Sequence, residues 1–338
     1  MFFRFCVAWA ILALLGGCGA TRDDHGKSAP RRPIEGTFIT YEDWMMKLSK
    51  RDWHRELEAM RHAGIRIVII VWLRWDDSNF MPQSPSAVDP TAIILDYAGK
   101  HDMQVLIGLA YADFWVSRFN DSQYIGRVSR TSMAVASEAW KRYGRYPAFT
   151  GWYLSPELRD ANYAPYHISV IRTFWRRVGD HCRALSGGKQ VAIAPCMIGL
   201  IAPGVFQSTY TSLLTGSGID IVMFQDGVGA RRWDADLEAR IVPYFQAMQS
   251  ACRLARVKLW ADIEIFHKTG EPLRSVPASM ERIRRQLAAE SPFVESFIMF
   301  DFFHYMSPRR GAAQKKLYED YLHTSNIPAT PPENRPSR

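Results

Sequence analysis

The sequence is poor in several features that would each have fixed a class. Cysteine is scarce, with five in 338 residues, and no Cys-x-x-Cys spacing occurs, which argues against a zinc ribbon or a disulfide-stapled scaffold. The nine histidines are scattered along the chain rather than grouped. No metal signature can be assembled from them, and neither a metal nor a cofactor is expected. No apolar run reaches the length of about 20 residues that a membrane-spanning helix requires. No low-complexity insert divides the chain into two domains. The cationic excess of +8 is spread over small pairs such as Arg31–Arg32, Arg176–Arg177 and Lys315–Lys316. No nucleic-acid-binding motif accompanies them, so nucleic acid is not an expected partner.

What is present is a recurring alternation. Eight short apolar runs follow one another at near-regular intervals: Gly36–Ile39, Ile67–Leu73, Val105–Leu109, Phe149–Leu154, Val191–Ala194, Ile219–Phe224, Lys258–Ile265 and Ser296–Phe303. Ile67–Leu73 is apolar on both faces, as a strand must be when core covers one side and helices the other. Helical patterns lie between the runs. Trp53, Leu57, Met60 and Ala63 recur at helical spacing, with Gly64 as the stop. Further helices are expected over Thr91–Lys100, Ser132–Tyr143, Ala164–Leu185, Asp234–Arg253 and Pro277–Ala289 (with Ser275 as a cap), and Leu317–Leu322 belongs to a closing helix. Strand then helix, eight times, predicts one α/β domain, a single (β/α)8 TIM barrel over residues 34–322.

The two ends read differently. Residues 1–17 carry one Arg and an apolar stretch, Cys6–Leu15. Leu15-Gly16-Gly17-Cys18-Gly19 then has small residues before a cysteine, which resembles a bacterial lipoprotein signal. That resemblance implies lipidation of Cys18 and a place in the cell envelope, anchored in the outer membrane and facing the periplasm. Membrane contact is then expected through the lipid alone. Residues 18–33 read as a flexible tether and 323–338, rich in proline, as a disordered tail. Of the remaining cysteines, Cys182, Cys196 and Cys252 allow at most one bridge. Oligomeric state is left open.

Chemistry in such barrels is built at the carboxyl ends of the strands. Glu157, Asp226, Glu264 and Asp301 all fall there. A glycosidic bond breaks when one carboxyl protonates the leaving oxygen and another supplies a nucleophile or activates water. Glu157 after the fourth strand and Glu264 at the end of the seventh would face each other across the mouth, so these two are the expected catalytic pair. Glu264 stands between Ile263 and Ile265, where a carboxylate is costly unless paired or used. Asp262 shares its face. Gln225 and Asp226, in the run Gln225-Asp226-Gly227-Val228-Gly229, are expected to contact substrate, as are Asp301, His304 and Tyr305 after the eighth strand. Trp72, Trp115, Trp152 and Tyr153 join that list, and Trp44 and Trp75 could also stack on sugar faces.

These residues together resemble a known group. Glu35-Gly36-Thr37-Phe38, Gly151-Trp152-Tyr153 with Glu157, the Gln-Asp-Gly-Val-Gly run and Trp260-Ala261-Asp262-Ile263-Glu264 resemble a bacterial TIM-barrel family of candidate glycoside hydrolases, of the domain-of-unknown-function type. The likeness covers about residues 34–308. It implies a secreted or lipid-anchored barrel acting on carbohydrate. The expectation is a retaining glycoside hydrolase for a cell-surface or exported polysaccharide. The alternative is a glycan-binding or polysaccharide-assembly lipoprotein without catalysis.

Overall fold

Eight parallel strands close on themselves in chain order. They are β1 (Gly36–Ile39), β2 (Ile67–Ile70), β3 (Gln104–Gly108), β4 (Phe149–Tyr153), β5 (Gln190–Ile193), β6 (Ile221–Gln225), β7 (Lys258–Glu264) and β8 (Ser296–Phe300). The ring shuts where Gly36 pairs with Ile298. Helices α1 (Lys50–His62), α2 (Pro90–Lys100), α3 (Ser122–Tyr143), α4 (Pro165–Ser186), α5 (Pro203–Leu214), α6 (Leu237–Ala255), α7 (Met280–Glu290) and α8 (Ala312–Thr324) follow the strands. This is the (β/α)8 barrel expected from the sequence. The computed structural model describes residues 34–84, 86–113, 115–118, 120–161, 163–270 and 274–324. The signal segment, Cys18, the tether and residues 325–338 lie outside the described residues.

Strand alternation sorts the barrel into two cores. Phe38, Ile69, Leu106, Tyr153, Met223 and Ile298 fill the lumen. Their strand neighbours, such as Val68, Ile107, Trp152 and Phe224, pack outward against the helices. Helix starts follow side-chain caps. Ser49 accepts from the Asp52 N–H, Asp89 from that of Ala92, Asp121 from that of Tyr124, and Ser279 from that of Arg282.

Several boundaries differ from the sequence expectation. The Asp121 cap starts α3 at Ser122 instead of Ser132. Helix α5 fills a gap for which the sequence expectation sets no helix bounds. Ser275 is not a cap. It belongs to a hairpin in which Phe266–Gly270 pairs antiparallel with Arg274–Pro277, and its hydroxyl meets Tyr305 Oη at 2.7 Å. The eighth run breaks at Asp301, whose carboxylate caps a four-residue helix, Phe302–Tyr305. Residues 323 and 324, expected in the tail, continue α8. Cys182, Cys196 and Cys252 are all free thiols.

Candidate active site

The mouth of the barrel gathers the carboxylates on two sides. On β7, Leu259, Ala261 and Ile263 pack outward, which leaves Asp262 and Glu264 on the lumen side. Glu264 is 7% exposed. Its Oε2 accepts the Ala230 N–H at 2.6 Å, and the Gly229 N–H also holds it. Both amides belong to a four-residue helix, Val228–Arg231, that follows β6. The glycines of the Gln-Asp-Gly-Val-Gly run make this approach possible. A Cβ on Gly229 would lie 2.2 Å from the Phe266 carbonyl oxygen, and one on Gly227 would lie 2.3 Å from that of Met197. Gly227 also has φ +67°, a conformation that favours glycine.

Behind Glu264 lies a buried polar layer. Asp226 Oδ1 accepts the Val228 N–H at 3.0 Å and the Glu264 N–H at 3.3 Å. Its Oδ2 accepts from Gln286 Nε2 at 2.5 Å. Arg282 Nη2 donates to the carbonyl oxygens of Glu264 and Phe266 at 2.5 and 2.7 Å. Glu290 is fully buried, and its carboxyl meets that of Asp226. Two carboxyls in contact must share a proton. Arg282, Gln286 and Glu290 are four residues apart on α7, so one helical face carries all three.

This setting raises proton affinities. Burial, followed by the Asp226 charge, pushes Glu264 up to about 8, against the pull of the Gly229 and Ala230 amides and of Arg282. Burial also raises Asp226 and Glu290. Asp262 is fully buried, with no hydrogen-bond partner for either oxygen among the described residues. Burial, then the surrounding carboxylates, lifts its proton affinity well above the ordinary range.

Glu157 stands in a lighter setting. It follows β4 through Ser155, whose hydroxyl donates to the Val71 carbonyl at 2.7 Å. Glu157 is half-buried, and its Oε1 accepts from Gln225 Nε2 at 3.1 Å. The same amide reaches the Ala194 carbonyl at 3.0 Å. Burial raises the Glu157 proton affinity, and the Gln225 hydrogen bond opposes it. After burial itself, the charges of Glu157 and Glu264 both push up the Cys196 thiol and both bear on Asp262. Gln225 of β6 links the two sides, donating to Glu157 and pairing in register with Asp262 of β7.

The third side is occupied by His304. Its Nδ1 lies 2.7 Å from Asp301 Oδ2 and its Nε2 lies 3.1 Å from Glu42 Oε1. Burial alone would lower its proton affinity, but the two carboxylates outweigh it and hold His304 up at about 9. Tyr305 stacks on Phe266 with ring centroids 5.0 Å apart.

Several expected contacts are not available to a ligand. Trp152 is fully buried. It faces the helices, with its indole N–H on Ser186 Oγ at 3.0 Å, because the lumen side of β4 belongs to Tyr153. Trp115 is 2% exposed and packs on Phe174 of α4. Asp226 and Asp301 are fully buried and serve as supports behind the cleft, accepting from backbone amides. Tyr153 faces the lumen but lies beneath the floor. Gln225, Trp72, His304 and Tyr305 keep partial exposure at the mouth. Sequence reasoning missed Gln286, Arg282 and Glu290, whose only signal was their four-residue spacing. No group of three or more His, Cys, Asp or Glu among the described residues is arranged to hold a metal. An open groove of about 640 Å³, lined by Lys50, Arg51, His54, Arg55, Glu58 and Tyr97, runs along α1 and α2. It contains none of the mouth carboxyls, so the chemistry points to the mouth.

Comparison with known proteins agrees on the architecture. The profile of a family described as Domain of unknown function (DUF4434) matches residues 34–312. No curated protein matches the sequence. Among solved structures, a candidate alpha-L-fucosidase from Bacteroides thetaiotaomicron VPI-5482 is 22% identical, with a TM-score of 0.69 over 91% of this chain and 98% of its own. The endo-beta-1,4-mannanase of Thermotoga petrophila is 12% identical, with a TM-score of 0.61 over 90% and 79%. An endoglucanase is 15% identical, with a TM-score of 0.56 over 86% and 97%. At these identities the likeness is one of fold.

Proposed function

Because the chain belongs to the DUF4434 family, which is defined without a reaction, we propose from the site itself that it is a retaining glycoside hydrolase. The observation that supports this reading is that Glu157 and Glu264 stand at the carboxyl ends of β4 and β7 of one barrel, with Gln225 of β6 between them, hydrogen-bonded to Glu157 and paired in register with Asp262 of β7. Glu157, half-buried and free on one oxygen side, gives its proton to the glycosidic oxygen. Glu264, in the ionised form that burial and the Asp226 charge make the minor one below about pH 8, attacks the anomeric carbon. Water then releases the sugar, passing its proton back to Glu157. Gln225 orients Glu157. The buried layer of Asp226, Gln286 and Arg282 fixes the backbone from which Glu264 projects. The solved barrels similar in fold include proteins named as a mannanase and an endoglucanase, which accords with a glycan ligand. The substrate in this reading is a cell-surface or exported polysaccharide. The protein is held in the envelope by lipid on Cys18, in the outer membrane facing the periplasm.

Product stereochemistry tests the mechanism. NMR of the first-formed reducing sugar should show the anomer of the substrate, and inversion would move Glu264 to the role of general base. One observation favours a second reading. A carboxyl with a proton affinity near 8 is neutral at neutral pH and suits a hydrogen-bond donor in a glycan-binding or assembly lipoprotein. Saturable glycan binding without new reducing ends at any pH would select that reading.

A further inference from the structure

Three aromatic rings stand together on the side of the mouth nearest β2 and β3, outside the carboxyl pair. Trp72 follows β2. Trp75 lies on a short strand, Arg74–Trp75, that pairs with Ala110–Tyr111 on one side and Ser78–Asn79 on the other. Trp72 is 5.0 Å from Trp75 and 5.4 Å from Tyr111 between ring centroids, with interplanar angles of 49° and 45°. Trp75 is 39% exposed, an unusual cost for a large ring on a small, well-paired sheet.

The indole N–H groups of both tryptophans are already engaged. Trp75 Nε1 donates to Asp113 Oδ1 at 3.1 Å, and Trp72 Nε1 donates to the Tyr41 carbonyl at 3.1 Å. The Asp113 N–H in turn binds Asp76 Oδ1 at 3.3 Å. With the indole N–H groups satisfied, what remains for a ligand is ring face. The surrounding rim is polar and exposed, formed by Asp76, Asp77 and Asp113, with Arg74 donating through Nε to the Asp76 carbonyl at 2.7 Å. An apolar protein partner would want an apolar surround, and this patch has a polar one. A pyranose offers the matching pair of surfaces, a C–H face for the rings and hydroxyl groups for the rim carboxylates. The same acids repel uronates and other anionic sugars. Tyr111 ties the patch to the reaction centre through the backbone: it follows β3, which pairs with β4, and the Leu109 N–H two residues before it donates to the Tyr153 carbonyl at 3.2 Å, four residues before Glu157.

We propose that Trp72, Trp75 and Tyr111 form a subsite for neutral sugar residues beyond the one at the scissile bond. The substrate is therefore an uncharged glycan chain rather than a terminal sugar on a small aglycone. This rests on the carbohydrate reading of the mouth.

The test titrates the full chain with cellohexaose, mannohexaose, xylohexaose and laminarihexaose, with hexagalacturonate as the anionic control. Tryptophan emission and calorimetry report binding, and a reducing-end assay reports cleavage. At least one neutral hexasaccharide should bind saturably, Trp75→Ala should weaken it about tenfold, the size of one ring contact, and Trp75→Phe should recover part of the loss. The anionic hexamer should not compete. No binding by any neutral probe, unchanged binding in Trp75→Ala, or preference for the galacturonate would each overturn the subsite. Cleavage with an unchanged KM in Trp75→Ala removes the subsite and leaves the hydrolase. Trp75-dependent binding with no new reducing ends does the reverse.

Discussion

The two glutamates of the mouth are built in opposite ways. Glu264 is clasped. Its carboxylate sits on two helix-start amides, its own N–H is held by Asp226, and its carbonyl is held by Arg282. Glu157 hangs from a loop, half-buried, with Gln225 as its side-chain partner. A nucleophile must arrive at one carbon in one direction, so it gains from a fixed seat. An acid/base group gives and later retrieves a proton and has to face solvent water in the second step. The difference in support thus fits the division of labour proposed for the pair.

Removing each carboxylate is the harshest way to break that comparison. Glu264→Gln should abolish turnover on every substrate. Glu157→Gln should cost about 10²–10⁴-fold and should recover on glycosides whose leaving group departs without a proton. Steady-state rates on a natural glycan and on an activated aryl glycoside separate the two. Equal losses on both substrates would erase the assigned roles.

Next in size is the layer behind Glu264. Asp226→Ala leaves the N–H groups of Val228 and Glu264 without an acceptor in a dry interior and the Gln286 amide with the Glu264 carbonyl alone. Each orphaned donor costs about 1–3 kcal/mol, so urea unfolding should show a loss of at least about 2 kcal/mol. Glu290→Gln should be nearly silent. Burial raises the proton affinity of Glu290 beside Asp226, and a glutamine amide can donate to Asp226 as a protonated Glu290 would. A large loss in Glu290→Gln would mean that Asp226 carries the proton instead.

The pH dependence of stability sharpens the contrast further. Glu264 holds its proton up to about 8 when folded, whereas a free glutamate releases it near 4.3. The folded state therefore binds the extra proton between those values, and stability falls as pH rises through that window. Glu264→Gln should flatten this slope. His304, held at about 9 by Asp301 and Glu42 against the effect of burial, contributes stability that is complete below about 6.5 and lost as pH rises through 9. His304→Gln should flatten only the upper part. Urea midpoints measured from pH 4 to 10, about the range these groups span, decide both.

How much of this was written in the sequence depends on which force wrote it. The barrel was legible because each strand must be apolar on both faces, and runs such as Ile67–Ile70 can be little else. The place of Glu157 and Glu264 at the carboxyl ends of β4 and β7 was legible because the apolar run before each marks its strand. Trp152 was misplaced for a related reason: Gly151-Trp152-Tyr153 is apolar throughout, so nothing in it tells which ring faces the lumen. The hairpin after β7 was missed because Ser275 and Pro277 mimic a helix start. The stripe Arg282, Gln286, Glu290 reads as an ordinary solvent face of an amphipathic helix. Only the fold reveals that it covers Asp226, a residue 56 positions before Arg282.

The mildest perturbation tests the lighter of the two settings. Gln225 Nε2 divides its protons between Glu157 Oε1 and the Ala194 carbonyl. Gln225→Ala removes the hydrogen bond that opposes the effect of burial on Glu157, so the proton affinity of Glu157 should rise further. The limb of the pH–rate profile on which Glu157 must be protonated then moves to higher pH, and kcat/KM at the optimum changes by less than about tenfold, since one neutral hydrogen bond is worth about 0.5–1.5 kcal/mol. The fold should hold, because Gln225 is itself partly exposed, so water can enter the space its side chain leaves and take its place at the Ala194 carbonyl. A shift of that limb to lower pH would show that Gln225 accepts from a protonated Glu157 through its oxygen, and the loop-borne glutamate would then be the tightly held member of the pair.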